Sequence, residues 1–90
     1  MAALDLLGRR WTLRILWEIG NSGPLTFRGI QEACGGLSPT VVNTRLRELR
    51  ENGIVSNDEQ GYALTAQGRR LGKILQSLDL WSNGWAKTLG

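Results

Sequence analysis

The sequence predicts a mainly helical domain closed by one small β-hairpin, and three observations carry that prediction. Apolar residues recur at helical spacing along most of the chain, helix-starting and helix-stopping residues bracket each such run, and one stretch, IVSNDEQGYAL, alternates around a turn instead. Ninety residues with 41% hydrophobic content suffice for one modest core and not for two. Residues 1–90 are therefore read as a single domain.

The elements follow in order. Leu4, Leu6 and Leu7 make a short apolar N-terminal helix that ends or bends at Gly8. WTLRILWEIG then carries Trp11, Leu13, Ile15, Leu16, Trp17 and Ile19, a pattern apolar on most sides that predicts a largely buried helix with both tryptophans in the core. GNSGP stops it. Thr26 is an N-cap for TFRGIQEAC, with Phe27, Ile30 and Cys34 on one face, and Gly35 and Gly36 end that helix. Ser38 is the next N-cap, with Pro39 at the first helical position, where its missing N–H costs nothing. This helix should run to about Asn52, with Gly53 as a left-handed cap.

At about 100° per residue, Val42, Leu46 and Leu49 form one stripe of that helix. Thr40, Thr44, Arg47 and, more laterally, Asn43 face the other way. Arg45 and Arg50 lie near the stripe's edges and read as flanking or structural. IVSN and GYAL around DEQG predict the hairpin, and Thr65 caps a last helix whose apolar positions are Leu71, Ile74, Leu75, Leu78, Trp81 and Trp85.

Two helices joined by a tight glycine turn, the second capped and arginine-bearing, make a helix-turn-helix, and the hairpin behind it makes a wing. Composition limits the chemistry. The chain has one cysteine and no histidine, which excludes an internal disulfide and multi-cysteine metal sites, and leaves no pairing of nucleophile with base; neither an enzyme nor a metal site is expected. No signal-like start and no run of about 18 apolar residues is present, so a cytoplasmic protein is expected. The net charge is only +3, but Arg9, Arg10 and Arg14, then Arg45, Arg47 and Arg50, then Arg69, Arg70 and Lys73 form three basic clusters. They could make one polyanion-binding surface, or be solvated faces countered by Glu18, Glu48 and Glu51.

LDLLGRRWTLRIL, GPLTFRGIQEA, GLSPTVVNTRLRELRENGIV and YALTAQGRRL, in that order, resemble the HxlR-type winged helix-turn-helix regulators, relatives of the MarR group. The resemblance spans about Leu4 to Trp81. It implies a homodimeric regulator that binds double-stranded DNA with the second helix of the motif in the major groove and pairs its subunits through the terminal helices. Carried over by position, Ser38, Pro39, Thr40, Asn43, Thr44 and Arg47 would face DNA. Leu4, Leu7, Leu78, Trp81 and Trp85 would lie between subunits. The wing departs from the family's, being short and acidic at Asp58 and Glu59 where the family usually carries a Pro and a basic residue.

Residue chemistry fits these roles. Arg47 can pair with a guanine edge or a phosphate, Asn43 with an adenine edge, and Thr40 and Thr44 with either kind of partner. Arg9 or Arg10, just ahead of the second helix, is expected at a phosphate, with a charge pair to Asp5 as the competing account for this pair. Arg28 is a similar case, because the first helix of such a motif crosses the DNA backbone. Two other readings stand beside this one: a winged helix used for protein contacts, favoured by the acidic wing and mild charge, and a ligand-responsive regulator or small enzyme with a cavity lined by Trp81 and Trp85. No cofactor is expected; a small-molecule effector is compatible with the sequence.

Overall fold

A computed structural model describes residues 1–90 of the chain. Five helices and one hairpin follow in the order α1 (Ala2–Leu7), α2 (Thr12–Ser22), α3 (Phe27–Ala33), α4 (Pro39–Glu51), β1 (Val55–Asp58), β2 (Gly61–Leu64) and α5 (Ala66–Leu89). The three caps read from the sequence are made: Thr26 Oγ1 accepts from Gly29 N at 3.0 Å, Ser38 Oγ from Val41 N at 3.3 Å, and Thr65 Oγ1 from Gly68 N at 3.1 Å. Each satisfies one of the amides that a helix start leaves without an internal partner.

The core gathers Ile15, Leu16 and Ile19 of α2, Ile30 and Cys34 from α3 and its cap, Val42, Leu46 and Leu49 of α4, Val55 of β1 and Leu75 of α5. Val42, Leu46 and Leu49 are at most 1% exposed, so the apolar stripe of α4 seats the helix on the body of the domain. β1 and β2 pair antiparallel with Val55 opposite Leu64 and Asp58 opposite Gly61, joined through Glu59 and Gln60 alone.

A third segment completes this sheet. Leu25 and Tyr62 exchange both backbone hydrogen bonds, at 3.0 and 2.7 Å, in an isolated bridge that the sequence reading missed. It lies between a proline and a helix cap, too short for any alternation to register. The bridge also explains Gly61: at φ 120° a Cβ there would come within 2.6 Å of the Leu25 carbonyl oxygen, so only glycine allows the approach.

Three expectations need correction, though α2 does end inside GNSGP, running to Ser22 and stopping at Gly23, whose φ of 73° leaves the helical region. Its first residue is Thr12, because Trp11 takes a left-handed backbone at φ 75° as N-cap, a conformation that costs a bulky residue about 1–3 kcal/mol. Trp11 and Trp17 are half-buried at the edge of the core and Leu13 is exposed, so α2 is open on one side, because a cleft separates that side from α5. The hairpin turn is two residues rather than DEQG, since Asp58 and Gly61 already pair as strand residues.

α5 leaves a long apolar face uncovered. Leu75 is buried and Leu71 packs against the core, but Ile74, Leu78, Trp81, Trp85 and Leu89 are exposed. Ile74, Leu78, Trp81 and Trp85 recur every three or four residues and so share one face. The rings of Trp81 and Trp85 stack on that face with centroids 5.6 Å apart.

Candidate nucleic-acid interface

α4 turns its uncovered side outward along its whole length. Thr40, Asn43 and Arg47 are exposed and Thr44 is half-buried, on the side away from Val42, Leu46 and Leu49. Ser38 and Pro39 are exposed at the N-terminal end, where the Ser38 hydroxyl is already engaged by the Val41 amide. Thus the six residues expected on the DNA-facing side do share one element and one surface. Cap, proline and apolar spacing of three or four place them there, since each is a local property of the sequence.

The two edges of this helix differ in their electrostatics. On one edge Glu48 joins two guanidiniums, those of Arg9 from the α1–α2 connection and Arg45 one turn back. Arg9 therefore pairs with Glu48, not with the Asp5 carboxylate of the competing account; only its Nε reaches the Asp5 carbonyl, at 3.4 Å. Arg45 is structural as expected, and its Nε is buried without a partner. On the other edge, Arg47 and Arg50 form no ion pair and line an open groove of about 500 Å³ between α4 and β1.

Arg10 and Arg28 lie on other elements. Arg10 sits over the Trp11 ring with its guanidinium carbon 5.6 Å from the centroid, a cation–π contact that leaves its N–H groups available. Arg28 faces Glu32 one helical turn on at 3.4 Å; both side chains are more than two-thirds exposed, so the pair is weak and easily exchanged for a phosphate. Arg14 is tied to Glu18 at 2.9 Å. Of the expected counterions, Glu18 and Glu48 do hold arginines, whereas Glu51 holds none.

Cys34 is buried between α3 and α4, and burial pushes its thiol above the ordinary value of 9.0, with the nearby Glu18 carboxylate adding to the shift and Arg14 opposing it. A thiol held neutral in this way is a poor nucleophile. No cluster of three or more histidine, cysteine, aspartate or glutamate side chains is placed to hold a metal, and no helix is long and apolar enough to cross a membrane.

An outward polar face on a capped helix, a tight turn before it and a hairpin after it are the parts of a winged helix-turn-helix. Residues 6–89 match the HxlR-like helix-turn-helix family. The chain belongs to that family. Its relatives include the uncharacterized HTH-type transcriptional regulator YvaP of Bacillus subtilis, 33% identical over 90 residues, covering 92% of this chain and 82% of the relative. Among solved structures, quinone-bound YodB from B. subtilis superposes with a TM-score of 0.81 at 32% identity over 92% of this chain and 93% of that one. A possible HxlR family transcriptional factor from Thermoplasma volcanium GSS1 gives the same TM-score at 30% identity, over 93% and 81% of the two chains. The chain is thus a DNA-binding transcription regulator of HxlR type with a winged helix-turn-helix fold, a role with no catalysis in it.

Proposed function

We propose that this HxlR-type chain acts in the cytoplasm as a homodimeric, sequence-specific regulator that lays α4 into the major groove of double-stranded DNA. The observation that carries the reading is the division of α4 into a stripe at most 1% exposed and an opposite face of Thr40, Asn43 and Arg47 without a protein partner. Base edges would be read by Thr40, Asn43, Thr44 and Arg47, with Pro39 on the same DNA-facing surface, and phosphates would be met by Ser38 and Thr40 at the helix start and by Arg10 and Arg28 beside it.

The homodimer rests on α5. Its apolar face of Ile74, Leu78, Trp81 and Trp85 has no cover within the chain, with Trp81 60% and Trp85 48% exposed. Leu4 is exposed on α1, and Leu7 packs against the core beside it. Leaving two stacked tryptophans in water is costly, and a second copy of the same face would bury them. Repression, through occlusion of a promoter, is the regulatory sense we assign. A small-molecule effector fits the same reading: YodB has been solved with a quinone bound, and in this chain a cleft of about 270 Å³ between α2 and α5, walled by Leu13, Trp17, Leu75 and Leu78, offers apolar room.

Selection of bound sequences from a random duplex pool tests the proposal. Two inverted half-sites about one or two helical turns apart should emerge. A pool that yields no enriched sequence, or a single unpaired site, would overturn specificity or the dimer respectively.

A further inference from the structure

The wing of this chain ends in Asp58 and Glu59, two carboxylates where a phosphate-lined groove would want cations. Asp58 is folded back into the turn, its Oδ1 accepting from Gln60 N at 2.8 Å. We infer that the DNA backbone is held at the base of the wing instead, in the groove between α4 and β1, with Arg50 as a phosphate ligand beside Arg47. This inference rests on the DNA-binding reading above and extends it to a residue that sequence reasoning ranked as flanking or structural.

The groove is walled by Arg47, Arg50 and Glu51 on the helix and by Val55, Ser56 and Asn57 on the strand. Both arginines in it are without a carboxylate partner, as are Arg10, Arg69 and Arg70 elsewhere, but Arg47 and Arg50 are the two that share one groove beside the outward face of α4. Neither guanidinium is engaged by Glu51, the one carboxylate in the lining, so both forks are free, and guanidinium forks match the two free oxygens of a phosphodiester. The Ser56 hydroxyl is 3.5 Å from the Ala63 carbonyl, too long to hold it firmly, and the Asn57 amide has no side-chain partner, so two further donors border the site.

Position supports the same assignment. Arg50 follows Arg47 by three residues, and at about 100° per residue it turns toward the same edge of α4 as Asn43. That is the edge away from Glu48. The strand opposite is tied to the body of the domain, because Asn57 pairs with Tyr62, and Tyr62 in turn pairs with Leu25. A phosphate contact there would fix the depth of α4 in the groove while the acidic tip stays clear.

The test is a salt titration of binding to a random-sequence duplex, followed by fluorescence anisotropy. Arg50→Gln should lower the slope of log K against log salt by about 0.9 for each protomer engaged. Asn57→Asp should weaken binding at every salt concentration, and Glu51→Gln should tighten it. Lys87→Gln removes one charge about 30 Å along α5 from its start, by the rise of 1.5 Å per residue, and should leave the slope unchanged. An Arg50→Gln slope equal to that of the unmodified protein, or an equal loss on Lys87→Gln, would overturn the inference while leaving DNA binding in place. Failure of the unmodified protein to bind any duplex at low salt would instead take down the DNA-binding reading and this inference with it.

Discussion

Leu46 and Arg47 are neighbours on α4 with opposite jobs, and replacing each by alanine separates holding the helix from using it. Leu46 is 1% exposed within the cluster formed with Val42, Leu49 and the α2 residues. Its truncation removes most of a buried side chain and leaves a cavity, which together cost about 2–5 kcal/mol. A domain of this size has roughly 5–14 kcal/mol in total, at 0.05–0.15 per residue. The midpoint of thermal unfolding should fall by roughly 8–40 °C, at about 4–8 °C per kcal/mol. Arg47 is exposed and has no ion pair, so Arg47→Ala should change stability by no more than about 0.5 kcal/mol. Its affinity for the selected site should nonetheless fall by about 1–3 kcal/mol if it reads a base, or the salt slope should drop by about one unit if it meets only phosphate.

Urea unfolding followed by tryptophan fluorescence measures the first effect, and anisotropy with the selected duplex measures the second. Both should be run at one chain concentration, because the proposed association of subunits would add to apparent stability. Leu46→Ala within 0.5 kcal/mol of the unmodified protein, or Arg47→Ala with normal affinity and normal salt slope, would refute the division of the helix argued here.

Other substitutions test the parts around α4. Gly68→Ala would place a Cβ 2.2 Å from the Ile54 carbonyl oxygen, and should destabilise by about 1–3 kcal/mol because backbone must move; Gly72→Ala, whose Cβ meets only a Leu64 methyl at 3.5 Å, should stabilise by about 0.5–1 kcal/mol in the same urea assay. Trp81→Ala should weaken subunit association by about 2 kcal/mol or more, seen as dissociation in sedimentation at micromolar chain. Cys34 should alkylate far more slowly in the folded protein than in urea at pH 8. Since burial raises its folded value, the stability it contributes is complete below the ordinary 9.0 and declines as pH rises above it, measurable as a falling urea midpoint.

The parts of this molecule legible in the sequence are those governed by local chemistry. Ser38 and Pro39 mark a helix start because an amide needs an acceptor and a proline needs a place without one. Val42, Leu46 and Leu49 mark the core side because a helix repeats every 3.6 residues. What could not be read locally depended on partners distant in sequence. Glu48 could as well have been a solvated counterion; only the fold brings Arg9 across to it, some forty residues away. The Leu25 bridge is likewise a pairing with no local signal.

The same distinction explains why Arg45 and Arg50, symmetric about the stripe of α4 by sequence, are not equivalent. Arg45 shares an edge with Glu48 and is paired there, whereas Arg50 shares an edge with β1 and the open groove and is unpaired. A helical wheel sees two arginines at equal angles from the core; the tertiary structure assigns one to hold the helix and leaves the other's charge unspent. If that charge meets the DNA backbone, the acidic tip is no defect of the wing. It would keep the hairpin tip clear of the phosphate that Arg50 meets, and place that contact on the same helix as the base-reading residues.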